Sequence, residues 1–164
     1  MPIVYMMVGI QGSGKTTYAK RMSKETGIEI VSTDTIRKEM IDFKESNVFP
    51  IVHERCKTLI LNNKDLIFDA TSITPSVRKR FIDSLKEIGV DRNMYEIHVY
   101  YFMPDLELSI ERIKKRNEEG IERYMPLEVI EKYNNEIIPP TKEEGFEKIL
   151  FISSDDFSIK RTII

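Results

Sequence analysis

Eight residues near the amino end of the chain have the types and the spacing that hold a polyphosphate. Gly9 to Thr16 reads Gly-Ile-Gln-Gly-Ser-Gly-Lys-Thr and fits the pattern G-x-x-x-x-G-K-[S/T] at every fixed position. The glycines let consecutive backbone N–H groups turn inward around an anion, while Lys15 offers a positive charge and Thr16 a hydroxyl ligand for Mg²⁺. The segment therefore predicts a site for ATP and Mg²⁺. The predicted nucleotide-binding residues are Gly9, Gln11, Gly12, Ser13, Gly14, Lys15, Thr16 and Thr17.

The sequence on either side of this loop predicts the elements that must position it. Residues 3–8 are an unbroken apolar run, as expected for a parallel strand buried on both faces. After the loop, Tyr18 and Met22 recur at helical spacing in an amphipathic segment that should end near Gly27. Strand, loop and helix thus follow in the order that phosphate binding requires, and this order disfavours a plain glycine-rich turn.

Two further strands are followed by acidic residues. The run 28–32 leads to Asp34 and Arg37, and the run 66–68 ends at Asp69, with Thr71 just beyond it. Residues past the carboxyl ends of parallel strands face the ligand crevice, so all four are candidates for the site. Asp69 would supply the carboxylate that a phosphate-bound metal needs. Each aspartate could instead cap a helix, Asp34 for a helix over 35–41.

The remaining segments alternate in the same way. We predict helices over 48–61, 75–88, 105–116 and 127–137, strands over 95–103 and 148–152, and a mobile lid over about 117–126. The basic cluster 78–80 is either a solvated helix face or a phosphate contact. Residues 153–155 are either a surface turn or a contact to the nucleotide base. The predicted fold class is α/β, a single three-layer domain over 1–164 with a five-stranded parallel sheet and helices on both faces.

Composition restricts the partners and the compartment. The 164 residues carry a formal net charge of −2, which argues against a broad nonspecific nucleic-acid surface but not against a local basic groove. A lone cysteine, Cys56, gives no intramolecular disulfide, and no apolar run is long enough to cross a bilayer. We expect a cytoplasmic protein with no membrane partner.

The whole chain resembles the 5′-polynucleotide kinase-like branch of the P-loop kinases. The resemblance rests on an ordered set of stretches, and it implies the strand order 2-3-1-4-5. These stretches are 9–16, 32–37 (Ser-Thr-Asp-Thr-Ile-Arg), 68–75 with Arg78, 115–117 leading to 126–130, and 139–146.

The resemblance also implies roles for individual residues. Asp34 would be the general base that takes the proton of the acceptor hydroxyl, and Arg37 would bind the acceptor's neighbouring phosphate. Arg116 would be a lid arginine that neutralises charge on the γ-phosphate as it transfers. The implied catalytic residues are Lys15, Asp34 and Arg116; the implied substrate-binding residues are Asp34, Arg37, Asp69, Thr71 and Arg78; the implied metal ligands are Thr16 and Asp69.

One position departs from the family pattern. A second lid arginine is expected four residues after the first, but this position is Gly120. Either Arg123 or Arg112 takes its place, or the acceptor and nucleotide preferences differ.

Three functions fit these observations. The first is an ATP-dependent kinase that phosphorylates a 5′-hydroxyl of RNA or DNA, favoured by Asp34 together with Arg37. The second is a small-molecule kinase for a nucleoside, sugar or antibiotic hydroxyl, favoured by the acidic net charge. The third is a nucleotide-binding regulatory ATPase, disfavoured by the presence of a candidate base and a lid arginine in the expected order.

Overall fold

The apolar run near the amino end forms the central strand of a mostly parallel sheet. The computed structural model describes residues 1–164. Strand β1 (Ile3–Val8) pairs in parallel with β3 (Leu66–Asp69) on one side and β4 (Glu96–Met103) on the other. Strands β2 (Glu29–Ser32) and β5 (Lys148–Ser153) extend the sheet outward, again in parallel. The predicted α/β class and the order of these five strands are confirmed.

A sixth strand corrects the predicted sheet. Strand β6 (Ile159–Ile163) pairs antiparallel with β5, so the full order is β2-β3-β1-β4-β5-β6. A tight turn over 154–158 joins the two strands, with Phe157 N–H donating to the Ser153 carbonyl at 3.0 Å. Strand β6 lies at the edge of the sheet and its first four residues are exposed, so its sequence lacks the buried alternation by which a strand is predicted.

Helices cover both faces of the sheet. Met6 and Met7 are neighbours on β1 and both are fully buried, because successive side chains of a strand point to opposite faces. Met6 belongs to the larger core cluster with Cys56 and Leu85, and Met7 belongs to the cluster with Ala19. The helices are α1 (Lys15–Thr26), α2 (Thr33–Glu39), α3 (Val48–Leu61), α4 (Pro75–Glu87), α5 (Leu106–Glu119) and α6 (Leu127–Glu136), with single 3₁₀ turns at Glu45–Asn47, Arg92–Met94 and Lys142–Glu144.

Helix α5 extends into the segment predicted to be a lid, 117–126. The first residues of this segment, 117–119, form the last turn of α5, which ends at Gly120 with a φ of 68°. The link to α6 is closed at its base, because the Asn117 side chain donates to the Met125 carbonyl at 2.9 Å and accepts from its N–H at 3.0 Å. We call residues 120–126 the lid segment below. No helix of the chain combines the length and the apolar character that crossing a membrane requires.

Candidate active site

The glycine-rich loop joins β1 to α1 at the carboxyl edge of the sheet. Gly9 N–H donates to the Thr71 carbonyl at 3.0 Å, which fixes the loop to the segment that follows β3. Gly14 caps α1, so the positive end of the helix dipole lies at the loop. The Ser13 hydroxyl is buried and has no partner within the chain. These features fit an anion seated against the loop.

Two glycines of this loop are required by close contacts as well as by backbone conformation. Gly12 has a φ of 75°, and a Cβ atom there would lie 2.7 Å from the Ser109 carbonyl oxygen of α5. Gly14 has a φ of 96°, and a Cβ atom there would overlap the Phe157 ring. L-amino acids with side chains rarely adopt such φ values. The loop is therefore wedged between α5 and the β5–β6 turn.

The pKa of Lys15 is affected by several charged residues of the candidate site. Its ammonium is buried and donates to the Ile10 carbonyl at 3.1 Å. Burial lowers the pKa of Lys15, the charges of Asp69 and Asp34 raise it, and the charge of Arg116 lowers it. The charges of three residues predicted from separate parts of the sequence thus all affect the pKa of this lysine.

Thr16 and Asp69 come together as a pair of oxygen ligands. The Thr16 hydroxyl donates to Asp69 Oδ2 at 2.8 Å, although the two residues are 53 positions apart. Hydroxyl and carboxylate oxygens suit Mg²⁺, which typically takes one or two protein ligands and completes its shell with phosphate and water. The chain has no group of three or more acidic, His or Cys side chains that could hold a metal without a bound phosphate. The donor set thus fits a magnesium ion that arrives with a nucleotide.

Asp34 is not the cap of α2. The cap is Ser32, whose hydroxyl accepts from Thr35 N–H at 3.3 Å, and the helix begins two residues earlier than predicted. The Asp34 side chain is 79% exposed and accepts from Arg37 Nη1 at 2.8 Å. Because capping does not occupy the Asp34 carboxylate, it is available to a ligand, held by the arginine one turn later.

The structure corrects the assignment of Arg78 to the substrate site. Arg78 is fully buried, so it cannot reach a ligand in the crevice. Its guanidinium donates to Glu144 at 2.8 and 3.1 Å, to the Ser72 carbonyl at 2.8 Å and to the Ile138 carbonyl at 3.1 Å. Arg78 therefore ties the loop after β3 to the segments that follow α6.

We predict that Arg78→Ala destabilises the protein. Removing one partner of a buried ion pair leaves the other uncompensated, which costs about 3 kcal/mol of unfolding free energy. Urea denaturation measures this loss. Arg80→Ala, an exposed change on the same helix, is the matched control and should be close to neutral. Equal stability of the two variants would contradict the structural role of Arg78.

The three candidate arginines occupy different places. Arg112 donates to the Gly12 carbonyl at 3.1 Å and to the Ser154 carbonyl at 2.8 Å, so it joins the glycine-rich loop to the β5–β6 turn and lies outside the lid segment. Arg116 is exposed in the last turn of α5. Arg123 is exposed in the lid segment. Of the two candidates for the second lid arginine, only Arg123 therefore lies in the lid segment; its catalytic role stays a prediction.

Three features of the site were not predicted from the sequence. Phe157 packs against Gly14, Glu45 accepts a forked pair of hydrogen bonds from Arg37, and Glu122 of the lid segment pairs with Lys38 at 2.6 Å. Each joins segments that are distant in sequence or that lack a repeating pattern. Only the acidic character of residue 45, eight positions after Arg37, could have suggested one of these contacts.

Comparison with known proteins identifies a family and proteins of similar fold. The sequence model of an AAA domain family (AAA_33) matches residues 4–140. No curated protein sequence matches the chain. Among solved structures, the chain is similar to one in the Pnkp1/Rnl/Hen1 RNA repair complex, with 25% identity, a TM-score of 0.67, and coverage of 82% of this chain and 43% of that chain.

Two further structures share the fold. Kti12 from Chaetomium thermophilum, in complex with ADP-AlF₃, is 16% identical with a TM-score of 0.71, and the match covers 94% of this chain and 90% of that chain. A gluconokinase from Sinorhizobium meliloti 1021 is 13% identical with a TM-score of 0.61, and the match covers 94% of this chain and 83% of that chain. The fold is thus that of the P-loop kinases.

Proposed function

The chain belongs to the AAA_33 family of P-loop kinase-like AAA domains, and from this premise we propose that it is an ATP-dependent kinase for the 5′-hydroxyl of RNA or DNA. The observation that carries the proposal is the pair formed by Asp34 and Arg37 at the carboxyl end of β2. A carboxylate within the electrostatic range of Lys15 is suited to accept a proton from a hydroxyl that attacks the γ-phosphate. A guanidinium beside it is suited to hold a phosphate next to that hydroxyl.

Each predicted residue would then act in one step of the transfer. The amides of the glycine-rich loop and Lys15 hold the β- and γ-phosphates, and Arg116 balances the negative charge on the transferring group. Asp34 orients the acceptor hydroxyl and takes its proton, so that the oxygen lies in line with the leaving group. Thr16 and Asp69 are the residues that would hold Mg²⁺. When bound, this ion would add positive charge beside the same phosphates.

Two exposed aromatic rings, one after α2 and one in the lid segment, give further support to a polynucleotide acceptor. Phe43 is 49% exposed in the segment that follows α2, and Tyr124 is 68% exposed in the lid segment. The Lys38–Glu122 ion pair joins α2, the helix that precedes Phe43, to the lid segment. Exposed aromatic rings are surfaces on which the bases of a single strand can stack.

A small-molecule kinase is the second candidate. The net charge of −2 does not favour a long polyanion, and Glu45 already occupies the guanidinium of Arg37. A sugar or nucleoside hydroxyl without a neighbouring phosphate would leave that ion pair in place. The similarity to a gluconokinase agrees with this alternative at the level of the fold.

Transfer of labelled γ-phosphate from ATP separates these candidates. The acceptors are a 5′-hydroxyl oligonucleotide, the same oligonucleotide with a 5′-phosphate as the blocked control, nucleosides and aminoglycosides. Label on the 5′-hydroxyl oligonucleotide alone supports the proposal. Label on a small molecule alone rejects it in favour of the second candidate, and ATP hydrolysis that no acceptor changes would indicate a regulatory ATPase.

We predict that Arg112→Ala weakens ATP binding. The change removes charge-assisted hydrogen bonds to the Gly12 and Ser154 carbonyls, which hold the loop in its binding conformation. Loss of such a bond costs about 1.5 kcal/mol, so the dissociation constant should rise about tenfold. Calorimetric titration with ATP measures it, with Lys114→Ala on the same helix as the exposed control. An unchanged dissociation constant would contradict this role.

A further inference from the structure

The guanidinium of Arg37 holds an anion that belongs to the chain itself. Nε of Arg37 donates to the two carboxylate oxygens of Glu45 at 3.2 and 3.1 Å, and Nη2 donates to Oε1 at 2.7 Å. Nη1 donates to Asp34 at 2.8 Å. Asp34 takes Nη1, and the Nε/Nη2 edge, one of the two edges of the guanidinium that offer paired N–H groups, is taken by Glu45. A phosphate would use this same edge, because carboxylates and phosphates share the forked geometry.

Glu45 lies on a segment that is suited to moving aside. It begins the 3₁₀ turn Glu45–Asn47 in the connection between α2 and α3, where residues 41–47 are all exposed. The Glu45 side chain is 57% exposed, whereas that of Arg37 is 23% exposed. Displacing Glu45 would therefore return a carboxylate to water without opening the core. A largely exposed ion pair of this kind contributes little to stability, so a bound phosphate can outweigh it.

The charge of a second cation, Arg123, also acts on the Glu45 carboxylate. Hydrogen bonds from Arg37, together with the charges of Arg37 and Arg123, lower the pKa of Glu45. Arg123 belongs to the lid segment. The residue before it, Glu122, pairs with Lys38 on α2. Charged residues of α2, of the segment with Glu45 and of the lid segment thus form one group of alternating sign.

We infer that Glu45 is a specificity-determining residue that competes with the acceptor's phosphate for Arg37. Acceptors with a phosphate beside the reacting nucleoside displace Glu45, and acceptors without one leave it in place. The inference rests on the proposed function for its catalytic meaning, but the competition itself is a binding property that can be measured without transfer.

The test compares two ligands that differ by one phosphate. Adenosine 3′-monophosphate and adenosine are titrated calorimetrically into the wild type, Glu45→Gln, and Glu39→Gln as the matched control, since Glu39 pairs with Arg55 and makes no contact with Arg37. Glu45→Gln should tighten the binding of the 3′-monophosphate about fivefold, the equivalent of about 1 kcal/mol. It should leave adenosine unchanged, and Glu39→Gln should change neither ligand.

A double variant and a kinetic readout complete the test. Adding Arg37→Ala to Glu45→Gln should remove the gain for the 3′-monophosphate, because the cation for which Glu45 and the phosphate compete is then gone. Where the enzyme transfers phosphate to an oligonucleotide, Glu45→Gln should lower the acceptor KM and leave kcat unchanged. Equal changes for the two ligands, or a gain that survives Arg37→Ala, would overturn the inference. Absence of transfer with the binding pattern intact would overturn the proposed function alone.

Discussion

Lys15→Ala should abolish phosphate transfer while leaving the fold intact. Lys15 is the cation of the glycine-rich loop, and fixed positive charge beside the transferring phosphate supplies much of the catalysis in this class of reaction. We expect a fall in kcat/KM of at least about 10³-fold. Steady-state transfer of labelled phosphate to the 5′-hydroxyl oligonucleotide measures it.

The stability of this variant distinguishes a catalytic loss from misfolding. Burial lowers the pKa of Lys15, so its charged form is held in the folded protein at a cost, and its ammonium makes one hydrogen bond, to the Ile10 carbonyl. Removing it should therefore leave the urea midpoint unchanged or raise it. Lys20→Ala, an exposed change on the same helix, is the matched control. Wild-type turnover in a folded Lys15→Ala protein would refute the assignment.

Asp34→Asn should slow the transfer by removing the general base, whereas Lys15→Ala removes a charge that binds the phosphates. The amide keeps the size of the side chain and its hydrogen bond from Arg37, but it cannot take a proton from the acceptor hydroxyl. General-base catalysis contributes about 10²- to 10⁴-fold, and we expect a loss of that size in kcat. ATP binding should be unchanged, because the Asp34 side chain is 79% exposed and makes no hydrogen bond to the glycine-rich loop.

A matched substitution makes this result specific. Asp42→Asn removes one carboxylate from the exposed segment after α2 and should leave kcat within twofold or so, as surface changes usually do. Calorimetry with ATP runs in parallel for both variants. If Asp34→Asn keeps wild-type kcat, or if it loses ATP binding together with transfer, Asp34 is not the general base.

The elements around the glycine-rich loop could be predicted because their signals are local. An apolar run, a glycine motif and a helical repeat occur within 27 residues, and each implies the same strand, loop and helix. Strand β6 could not be predicted, because an exposed edge strand with Lys160 and Arg161 carries no buried alternation. The strand order came from resemblance, since periodicity gives no information about which strands are neighbours.

The burial of Arg78 was missed because it is the first of three consecutive basic residues. Read with its neighbours at 79 and 80, it looks like one of three solvated cations. Read at helical spacing, it shares a face with Phe81 and Leu85, both buried, and this spacing could have indicated its position. What the sequence could not indicate is its partner, because Glu144 lies 66 residues away on a separate segment.

The contacts of Asp34 and Arg37, the predicted acceptor-binding residues, could not be predicted from the sequence either. The positions of Asp34 and Arg37 past the end of β2 followed from strand topology, and the structure places them there. Glu45 belongs to a short 3₁₀ turn, where no periodic pattern orients side chains. Phe157 adopts a φ of 61° in a tight turn. Aromatic residues rarely take this conformation, so the sequence does not predict it.

A single-turnover experiment that follows the γ-phosphate distinguishes transfer to an acceptor from hydrolysis. Wild-type protein in excess over labelled ATP, mixed with Mg²⁺ and a 5′-hydroxyl oligonucleotide, is followed through a single turnover. A kinase with Asp34 as its base should move the label from ATP to the oligonucleotide, with little inorganic phosphate formed. Label that leaves ATP only as inorganic phosphate, at the same rate with and without any acceptor, would contradict a kinase activity toward the 5′-hydroxyl.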